Sequence, residues 1–212
     1  SEDNYKDGKR DGKYTTWYEN GQKSGEGTYK NGILIGKYEL WFEDGTKEWE
    51  YYYNDDGTRD STKLTTRWYE SGQKWFEGYV KTLNDTTSVW NGLYTSWYEN
   101  GQKQIEKTYK DGELDGLYTF WYSNGQKSNE ETYKDGKLDG VNTVWYDDGQ
   151  KKGEGTYKDG KEEGLWTFWY GNGQKTVEGT YKDGEILDGK IVFFNEDGTI
   201  QKILTYKDGD PI

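Results

Sequence analysis

Short segments rich in Tyr, Trp, Thr and Phe alternate along this chain with Asn-Gly and Asp-Gly dipeptides. Within such a segment the side chains alternate, so that in Leu165–Tyr170 (LWTFWY) Trp166 and Phe168 share one face of a strand and Leu165 and Trp169 share the other. Aromatic and β-branched residues favour strands, and no stretch shows the 3.6-residue period of an amphipathic helix. The pattern predicts an all-β chain, an elongated antiparallel meander of roughly 16 strands joined as β-hairpins.

The turn signals fall into two alternating classes, each a strong hairpin signal because a two-residue type I′ turn needs positive φ at both central positions. The class followed by Gln or Thr comprises Asn20-Gly21, Asp44-Gly45, Asn100-Gly101, Asn124-Gly125, Asp148-Gly149 and Asn172-Gly173. The class that follows Tyr-Lys comprises Asp7-Gly8, Asn31-Gly32, Asp111-Gly112, Asp135-Gly136, Asp159-Gly160 and Asp183-Gly184. We therefore expect one strand between successive turns.

A two-residue loop at Asn172-Gly173 fixes which residues face each other across the hairpin, whereas a loop of another length would shift the register and exchange the faces. The predicted pairs are Tyr170 with Lys175, Phe168 with Val177, Trp166 with Gly179, Trp169 with Thr176, and Thr167 with Glu178; in the first repeat they are Tyr14 with Gly27 and Thr16 with Gly25. Aromatic rings that lie over a cross-strand Gly protect a weak position in a strand.

One unit of 24 residues recurs throughout, most clearly from Thr156 to Gly179. Its copies, anchored on the Tyr of YKDG, start at Tyr5, Tyr29, Tyr53, Val80, Tyr109, Tyr133, Tyr157, Tyr181 and Tyr206. A fixed period of this size is typical of a repeat array, so the prediction is a single repeat domain over residues 1–212 with about eight repeats. Insertions near 54–63 and 81–91 lengthen two of the steps; we expect them to lie in turns, where insertions sometimes carry recognition.

Stacking of the repeats would align equivalent residues in columns about 9.6 Å apart, twice the spacing between strands. A Trp stripe contains Trp17, Trp41, Trp68, Trp97, Trp121, Trp145 and Trp169, with Phe194 at its end. These Trp residues, together with Trp90 in the second insertion, are the candidate partner-binding residues, since aligned aromatic rings can dock a protein or stack on sugars. The alternative is that they only hold the sheet together. A Glu stripe contains Glu26, Glu50, Glu77, Glu106, Glu130, Glu154 and Glu178.

Composition narrows the function classes. Only 30% of residues are hydrophobic but 18% are aromatic, and the aromatic residues are placed periodically, which argues against disorder despite a net charge of −12. The chain has no Cys, His or Met, so it lacks thiolate ligands and the usual general base. The acidic balance disfavours nucleic acid and anionic lipid as partners and suits a basic protein, although acidity also serves solubility. No apolar run is long enough for a membrane-spanning helix.

The acidic side chains do not form a convincing catalytic or metal site. A catalytic carboxylate pair needs two different environments, whereas each Glu of the Glu stripe has nearly the same one, facing Thr and Lys across the strands. Asp115 and Asp139 follow the turn residues Asp111 and Asp135 closely, but calcium needs six to eight oxygens, which no copy supplies. We expect no enzymatic activity, no cofactor and no metal.

The unit YKDGKxxGxxTxWYxNGQKxxEGT resembles the bacterial MORN-repeat variant that fills proteins of the YwqK antitoxin family. The match is clearest over 112–127, 136–151 and 160–175, where Glu163 replaces the usual Asp. The pattern is weaker around Asp56-Gly57, where the second Gly is missing, and at Phe193-Phe194-Asn195, which replaces the Trp-Tyr pair and is typical of an end cap. The resemblance implies successive hairpins in one extended sheet and a role as a scaffold or interaction surface; it supplies no catalytic residues.

Two functions follow from these observations. The first is a non-catalytic scaffold for protein–protein interaction, with an antitoxin- or immunity-like role that captures a basic partner. The alternative is a secreted or cell-surface adhesin that binds glycans through its aromatic stripe. The absence of Cys and Met and the start at Ser1 favour an exported or surface protein, and the antitoxin resemblance favours the cytoplasm.

Overall fold

The computed structural model describes residues 1–84, 87–186, 189–207 and 210–212, and all regular structure in these ranges is β-strand. The chain forms two compact units. The first contains Ser1–Lys103 and Tyr109–Glu113, and the second contains Gln104–Thr108 and Leu114–Ile212. The sequence predicts a single domain over 1–212. Since that concerns how the two units combine, it stays a prediction.

The strands of the first unit are β1 (Glu2–Lys6), β2 (Lys9–Trp17), β3 (Lys23–Lys30), β4 (Ile33–Trp41), β5 (Lys47–Tyr53), β6 (Leu64–Trp68), β7 (Lys74–Asn84) and β8 (Thr87–Trp97). Strand β9 (Lys103–Lys110) contributes residues to both units, and β10 (Glu113–Trp121) lies in the second unit apart from Glu113. The second unit continues with β11 (Lys127–Lys134), β12 (Lys137–Trp145), β13 (Lys151–Lys158), β14 (Lys161–Trp169), β15 (Lys175–Lys182), β16 (Glu185–Ile186), β17 (Gly189–Phe194), β18 (Ile200–Lys207) and β19 (Asp210–Pro211). Within each unit the strands pair antiparallel with their neighbours in the chain, so the predicted meander of tandem hairpins is confirmed.

The turns that follow Tyr-Lys are the predicted type I′ turns. Asp159 and Gly160, for example, have φ of 51° and 85°, and the other five members of this class also have positive φ at both positions. Asn and Asp tolerate this left-handed conformation better than other side chains, which explains their place before Gly.

The other class of turns differs from the prediction. At Asn172-Gly173 only Gly173 has positive φ (81°), Gly173 N–H donates to Tyr170 O (2.9 Å), and Tyr170 N–H donates to Gln174 O (2.8 Å). These bonds define a three-residue loop in which a type I turn is followed by a left-handed Gly. A β-bulge follows, because Trp169 pairs with Lys175 while Phe168 pairs with Val177.

The bulge decides which predicted pairs are correct. Five pairs are confirmed: Phe168 with Val177, Trp166 with Gly179, Thr167 with Glu178, Tyr14 with Gly27, and Thr16 with Gly25. Two pairs next to the loop, Tyr170 with Lys175 and Trp169 with Thr176, are wrong. The bulge inserts one residue into the second strand, so it absorbs the longer loop and leaves the faces unchanged.

Two other expectations need correction. The described residues form 19 strands rather than roughly 16, partly because short pairs such as β15 with β16 and β18 with β19 extend the turns near the C-terminus. The insertion at 54–63 lies in turns as expected, but the one at 81–91 lengthens β7 and β8 to 11 residues each. Residues 85–86 of that insertion lie outside the described residues.

Each unit has two faces, named here by their residues. The Trp face carries the Trp stripe, the Glu stripe and the Thr residues between them; the glycine face carries residues such as Trp166, Phe168 and Gly155. Among the described residues, only Trp166 and Ile191 are buried large hydrophobic side chains, whereas Thr15, Thr66, Thr95, Thr119, Thr143 and Thr167 are all buried. The sheet is therefore stabilised mainly by cross-strand contacts within each face.

Candidate functional site

Rows of alternating Thr and Glu run across the strands on the Trp face. In the second unit the pairing joins Thr119, Glu130, Thr143, Glu154, Thr167 and Glu178 in one continuous row. In the first unit the row is Thr15, Glu26, Glu39, Glu50, Thr66, Glu77 and Thr95, where Glu39 replaces a Thr. The predicted cross-strand contact with Thr is confirmed for six members of the Glu stripe: Glu26, Glu50, Glu77, Glu130, Glu154 and Glu178.

Lys residues neutralise these carboxylates. Lys23 Nζ lies 2.7 Å from Glu26 Oε2 and Lys74 Nζ lies 2.6 Å from Glu77 Oε2, and the same ion pair recurs in most repeats. Hydrogen bonds from Lys23 and Lys13 lower the pKa of Glu26. A lowered pKa keeps this carboxylate ionised, whereas a general acid needs a raised pKa. The ion pairs between Lys and the Glu residues of this row therefore have a structural role.

The same Lys residues cover the Trp stripe. Lys23 Nζ lies 5.0 Å from the ring centroid of Trp41, the Trp one repeat further along, and Lys47 lies 5.3 Å from Trp68. Lys74 over Trp97 and Lys127 over Trp145 repeat the arrangement at 5.5 and 5.7 Å. Each contact is a cation–π interaction that links two repeats. Trp17 is 42% exposed.

The predicted stripe is thus present on one face of each unit: Trp17, Trp41, Trp68 and Trp97 in the first, and Trp121, Trp145 and Trp169 in the second. In the last repeat Phe194 occupies the position of the Trp. It pairs with Ile200 next to a β-bulge that is equivalent to the one beside Trp169. Trp90 lies apart from the stripe. It pairs with Val80, and its ring packs edge-on against Phe76 and Tyr94. Partner binding by all eight Trp residues stays a prediction.

The Tyr that follows most members of the Trp stripe joins consecutive repeats, a role that was not predicted from the sequence. Tyr146 Oη donates to Trp169 O (2.8 Å), and Tyr122 Oη donates to Trp145 O (2.9 Å). Asn124 in the adjacent turn adds a second link, because its Nδ2 donates to Asp147 O (2.7 Å). The recurrence of WYxNG in the sequence was the pattern from which this role of Tyr and Asn could have been inferred.

A matching link exists at the opposite end of the hairpins. Asp139 Oδ2 accepts the backbone N–H of Asp159 (3.2 Å), and this hydrogen bond is the main reason that the pKa of Asp139 is lowered. Asp115 Oδ2 accepts from the backbone N–H of Asp135 (3.3 Å) in the same way. The Asp residues considered as calcium ligands therefore hold the turn of the next repeat. Within the described ranges, no three His, Cys, Asp or Glu side chains are grouped to hold a metal ion.

An exposed apolar stripe lies on the Trp face of the second unit. Leu117, Val141 and Leu165 each stand four residues before a Trp, and they are 49%, 55% and 55% exposed. Thr132, Thr156 and Thr180 pair with them on the neighbouring strands. In the first two repeats the same position holds Lys13 and Lys37, which bond to the Glu row at 3.0 Å. The change from Lys to Leu or Val at this repeat position is visible in the sequence, but the exposure of these aliphatic side chains was not predicted.

An open depression lies beside the end of the Trp stripe. It has a volume of about 480 Å³ and is lined by Tyr146, Phe168, Trp169, Tyr170 and Val177 with a few polar neighbours. Here Trp169, one of the predicted partner-binding residues, borders a mostly apolar cavity. No helix that could cross a bilayer occurs in the described parts of the chain.

Comparison with known proteins identifies the repeat. A family model described as a MORN repeat variant matches residues 10–31, 90–111, 114–135, 138–159, 162–183 and 187–208, which together make up more than half of the chain. No curated protein matches the sequence.

Proposed function

Because this chain belongs to the MORN repeat variant family, we propose that it is a non-catalytic scaffold that binds another protein along the Trp face of its second unit. Repeats of this family generally serve in scaffolds that bind proteins or membranes, and the family is typically non-catalytic. In its more specific form, the proposal is that the chain captures one partner tightly, as an antitoxin or immunity protein does.

The observation that carries the proposal is the exposed apolar stripe of Leu117, Val141 and Leu165. Its members recur every second strand, about 9.6 Å apart, on a face where most other side chains are paired or half-buried. Leu and Val at half exposure gain little from folding, and burying the rest of each against a partner would contribute about 1 kcal/mol per residue. Aligned aliphatic residues beside Thr and Trp are typical of the apolar centre of an interface.

Charge favours a basic partner. The chain carries a net charge of −12, while the Lys residues of the Trp face are occupied by the Glu row. A basic protein would therefore be steered towards the molecule, with an association rate that falls as salt increases.

Glycan binding through the Trp stripe is less well supported. The rings of Trp41, Trp68, Trp97 and Trp145 are each approached by a Lys ammonium of the preceding repeat. A sugar that stacks on these rings would have to displace a cation–π contact, whereas a protein that docks on the apolar stripe would not.

The test is a triple substitution that copies the chain's own first repeats: Leu117→Lys, Val141→Lys and Leu165→Lys. The fold should tolerate it, since Lys13 and Lys37 occupy the equivalent positions and pair with the Glu row. A partner is first isolated by cross-linking in the source cells and purified, and its affinity is then measured by titration calorimetry. We expect the triple variant to weaken binding at least tenfold, which corresponds to about 1.4 kcal/mol.

The matched control is Lys13→Leu with Lys37→Leu, which alters the same repeat position in the first unit and should leave the affinity unchanged. Trp121→Ala and Trp145→Ala, tested singly, report on the Trp stripe itself. If the partner binds the triple variant as tightly as the unaltered chain while circular dichroism shows an intact sheet, the apolar stripe is not the docking surface.

A further inference from the structure

The two segments that interrupt the 24-residue period lie together in the first unit. Arg59 N–H, in the first insertion, donates to Thr82 Oγ1 (3.0 Å) at the base of the second. Between them is a cavity of about 340 Å³ with a mainly polar lining, which includes Tyr53, Asp56, Arg59, Thr82 and Ser88. Neither insertion forms this cavity alone.

Arg59 is the unusual side chain of this cavity. Its guanidinium carbon lies 4.0 Å from the ring centroid of Tyr51 and 4.6 Å from that of Tyr53, so the group is held against two aromatic rings. Its Nη1 is buried and has no hydrogen-bond partner within the described residues. A buried polar group without a partner is costly, and more so when it is charged.

The other two Arg residues of the chain each have a carboxylate neighbour, although Nε of Arg67 is also buried without a hydrogen-bond partner among the described residues. Arg10 Nε lies 2.8 Å from Asp3 Oδ1, and Arg67 Nη2 lies 3.4 Å from Glu48 Oε1. Arg67 is also held against two aromatic rings, those of Trp49 and Trp75, and therefore shares the stacked setting of Arg59. Among the described residues Arg59 alone lines a polar cavity and lacks a carboxylate partner.

The surroundings of Arg59 select the kind of anion. Asp56 also lines the cavity, and its Oδ1 accepts hydrogen bonds from the N–H and the hydroxyl of Thr58. This fixed negative charge disfavours a dianion such as phosphate but allows a single carboxylate, which matches the planar guanidinium. The hydroxyls of Thr82 and Ser88 lie 3.4 Å apart and can exchange hydrogen bonds with hydroxyl groups of a ligand.

We propose that this cavity binds an acidic monosaccharide, whose carboxylate pairs with Arg59 and whose hydroxyls bond to Thr82 and Ser88. The cavity volume falls at the lower end of the range for small-molecule sites. Tyr53 adds an aromatic surface of the kind that packs against sugar rings. This site lies in the first unit and is independent of the proposed protein-docking surface in the second.

The experiment titrates the full chain with glucuronate, using ligand-observed NMR, with glucose and acetate as separate arms at low salt. Glucuronate should bind in the millimolar range or tighter, glucose and acetate at least tenfold more weakly. Arg59→Gln should abolish glucuronate binding, whereas the matched control Arg67→Gln, which alters the other stacked Arg, should retain it.

Two further variants keep the test decisive if Arg59→Gln perturbs the fold. Arg59→Lys retains the positive charge but loses the two-pronged donor and should weaken binding; Ser88→Ala should weaken glucuronate while leaving acetate unchanged. The proposal is overturned if glucuronate fails to bind at millimolar concentrations, if glucose or acetate binds equally well, or if both Arg59 variants bind as the unaltered chain does.

Discussion

Gly155 is the position where the structure makes the sharpest stability prediction. A methyl group placed on Gly155 would lie 2.0 Å from Cδ2 and 2.2 Å from Cε2 of Trp166, on the adjacent strand β14. Carbon atoms pack best at about 3.5–4.0 Å, so the ring would have to move by roughly 1.5 Å. Trp166 is only 7% exposed and also contacts Tyr157 edge-on at 5.0 Å, which leaves it little freedom to do so.

The expected cost of Gly155→Ala follows from two opposing effects. Overpacking of a well-filled site costs typically about 1–3 kcal/mol. Replacing Gly by Ala in a strand recovers about 0.5–1 kcal/mol, because Gly loses more conformational freedom on folding. The overlap with the indole is severe, so the first effect wins, and we expect a net loss of about 1–2 kcal/mol in the free energy of unfolding.

Urea denaturation monitored by Trp fluorescence and circular dichroism measures this loss as a lower midpoint with an unchanged slope. Gly171→Ala is the matched control, since Gly171 has ordinary backbone angles and nothing within 4 Å of an added Cβ. It should be neutral or stabilising by about 0.5 kcal/mol. In a Trp166→Leu background, Gly155→Ala should lose most of its cost, because the indole that it meets is gone.

The reasoning is refuted if Gly155→Ala is as stable as the unaltered chain, or if its cost is the same in the Trp166→Leu background. Either result would mean that the indole does not constrain this glycine.

Three further predictions concern the links between repeats. Tyr146→Phe removes the hydroxyl that donates to Trp169 O and should cost about 1 kcal/mol of stability, measured by urea denaturation. Trp145→Ala removes a half-buried ring covered by Lys127 and should cost about 2 kcal/mol in the same assay. Burial opposes the ionisation of Glu50, but hydrogen bonds from neighbours that include Lys47 outweigh it and lower the pKa to about 2. The stability that Glu50 contributes should therefore be complete above its ordinary pKa of 4.5 and disappear as the pH falls towards 2, measured as the difference from Glu50→Gln.

Each of these has a contradicting result. An unchanged urea midpoint for Tyr146→Phe would show that water satisfies the Trp169 carbonyl equally well. For Trp145→Ala, a loss of partner binding without any loss of stability would assign the ring to recognition instead. If the unaltered chain and Glu50→Gln differ in stability by the same amount at pH 7 and pH 2, the carboxylate of Glu50 is not held by its cationic neighbours.

The sequence was most informative about contacts within one hairpin. Five of the seven predicted pairs are correct, and the two errors, at Trp169 and Tyr170, both adjoin the three-residue loop. Asn-Gly is compatible with a type I′ turn and with a type I turn followed by a left-handed Gly. The choice depends on whether the residue before Gly enters the left-handed region, which Asp159 does and Asn172 does not.

Contacts between repeats were harder to foresee. Trp166 pairs with Gly179 as predicted, yet its ring lies over Gly155 of the strand on its other side, and Gly179 is approached by Ile191 instead. Pairing fixes which residues are opposite, but the direction in which a large ring leans depends on its rotamer and on the space left by both neighbouring strands. The single-sequence pattern contains no record of that space.

The amino-acid sequence by itself determined the all-β meander, the repeat unit and the assignment of residues to two faces, because these depend on local turn signals and a two-residue period. Only the tertiary structure decided that Lys23 covers Trp41, that the apolar stripe is exposed, and that Arg59 meets the second insertion at Thr82. The two contacts, Lys23 with Trp41 and Arg59 with Thr82, join residues about one repeat apart. Both contacts and the exposure of the stripe are set by how successive hairpins twist and pack on each other. Candidate recognition sites in this protein arise from that packing, and therefore appear only once the hairpins are assembled.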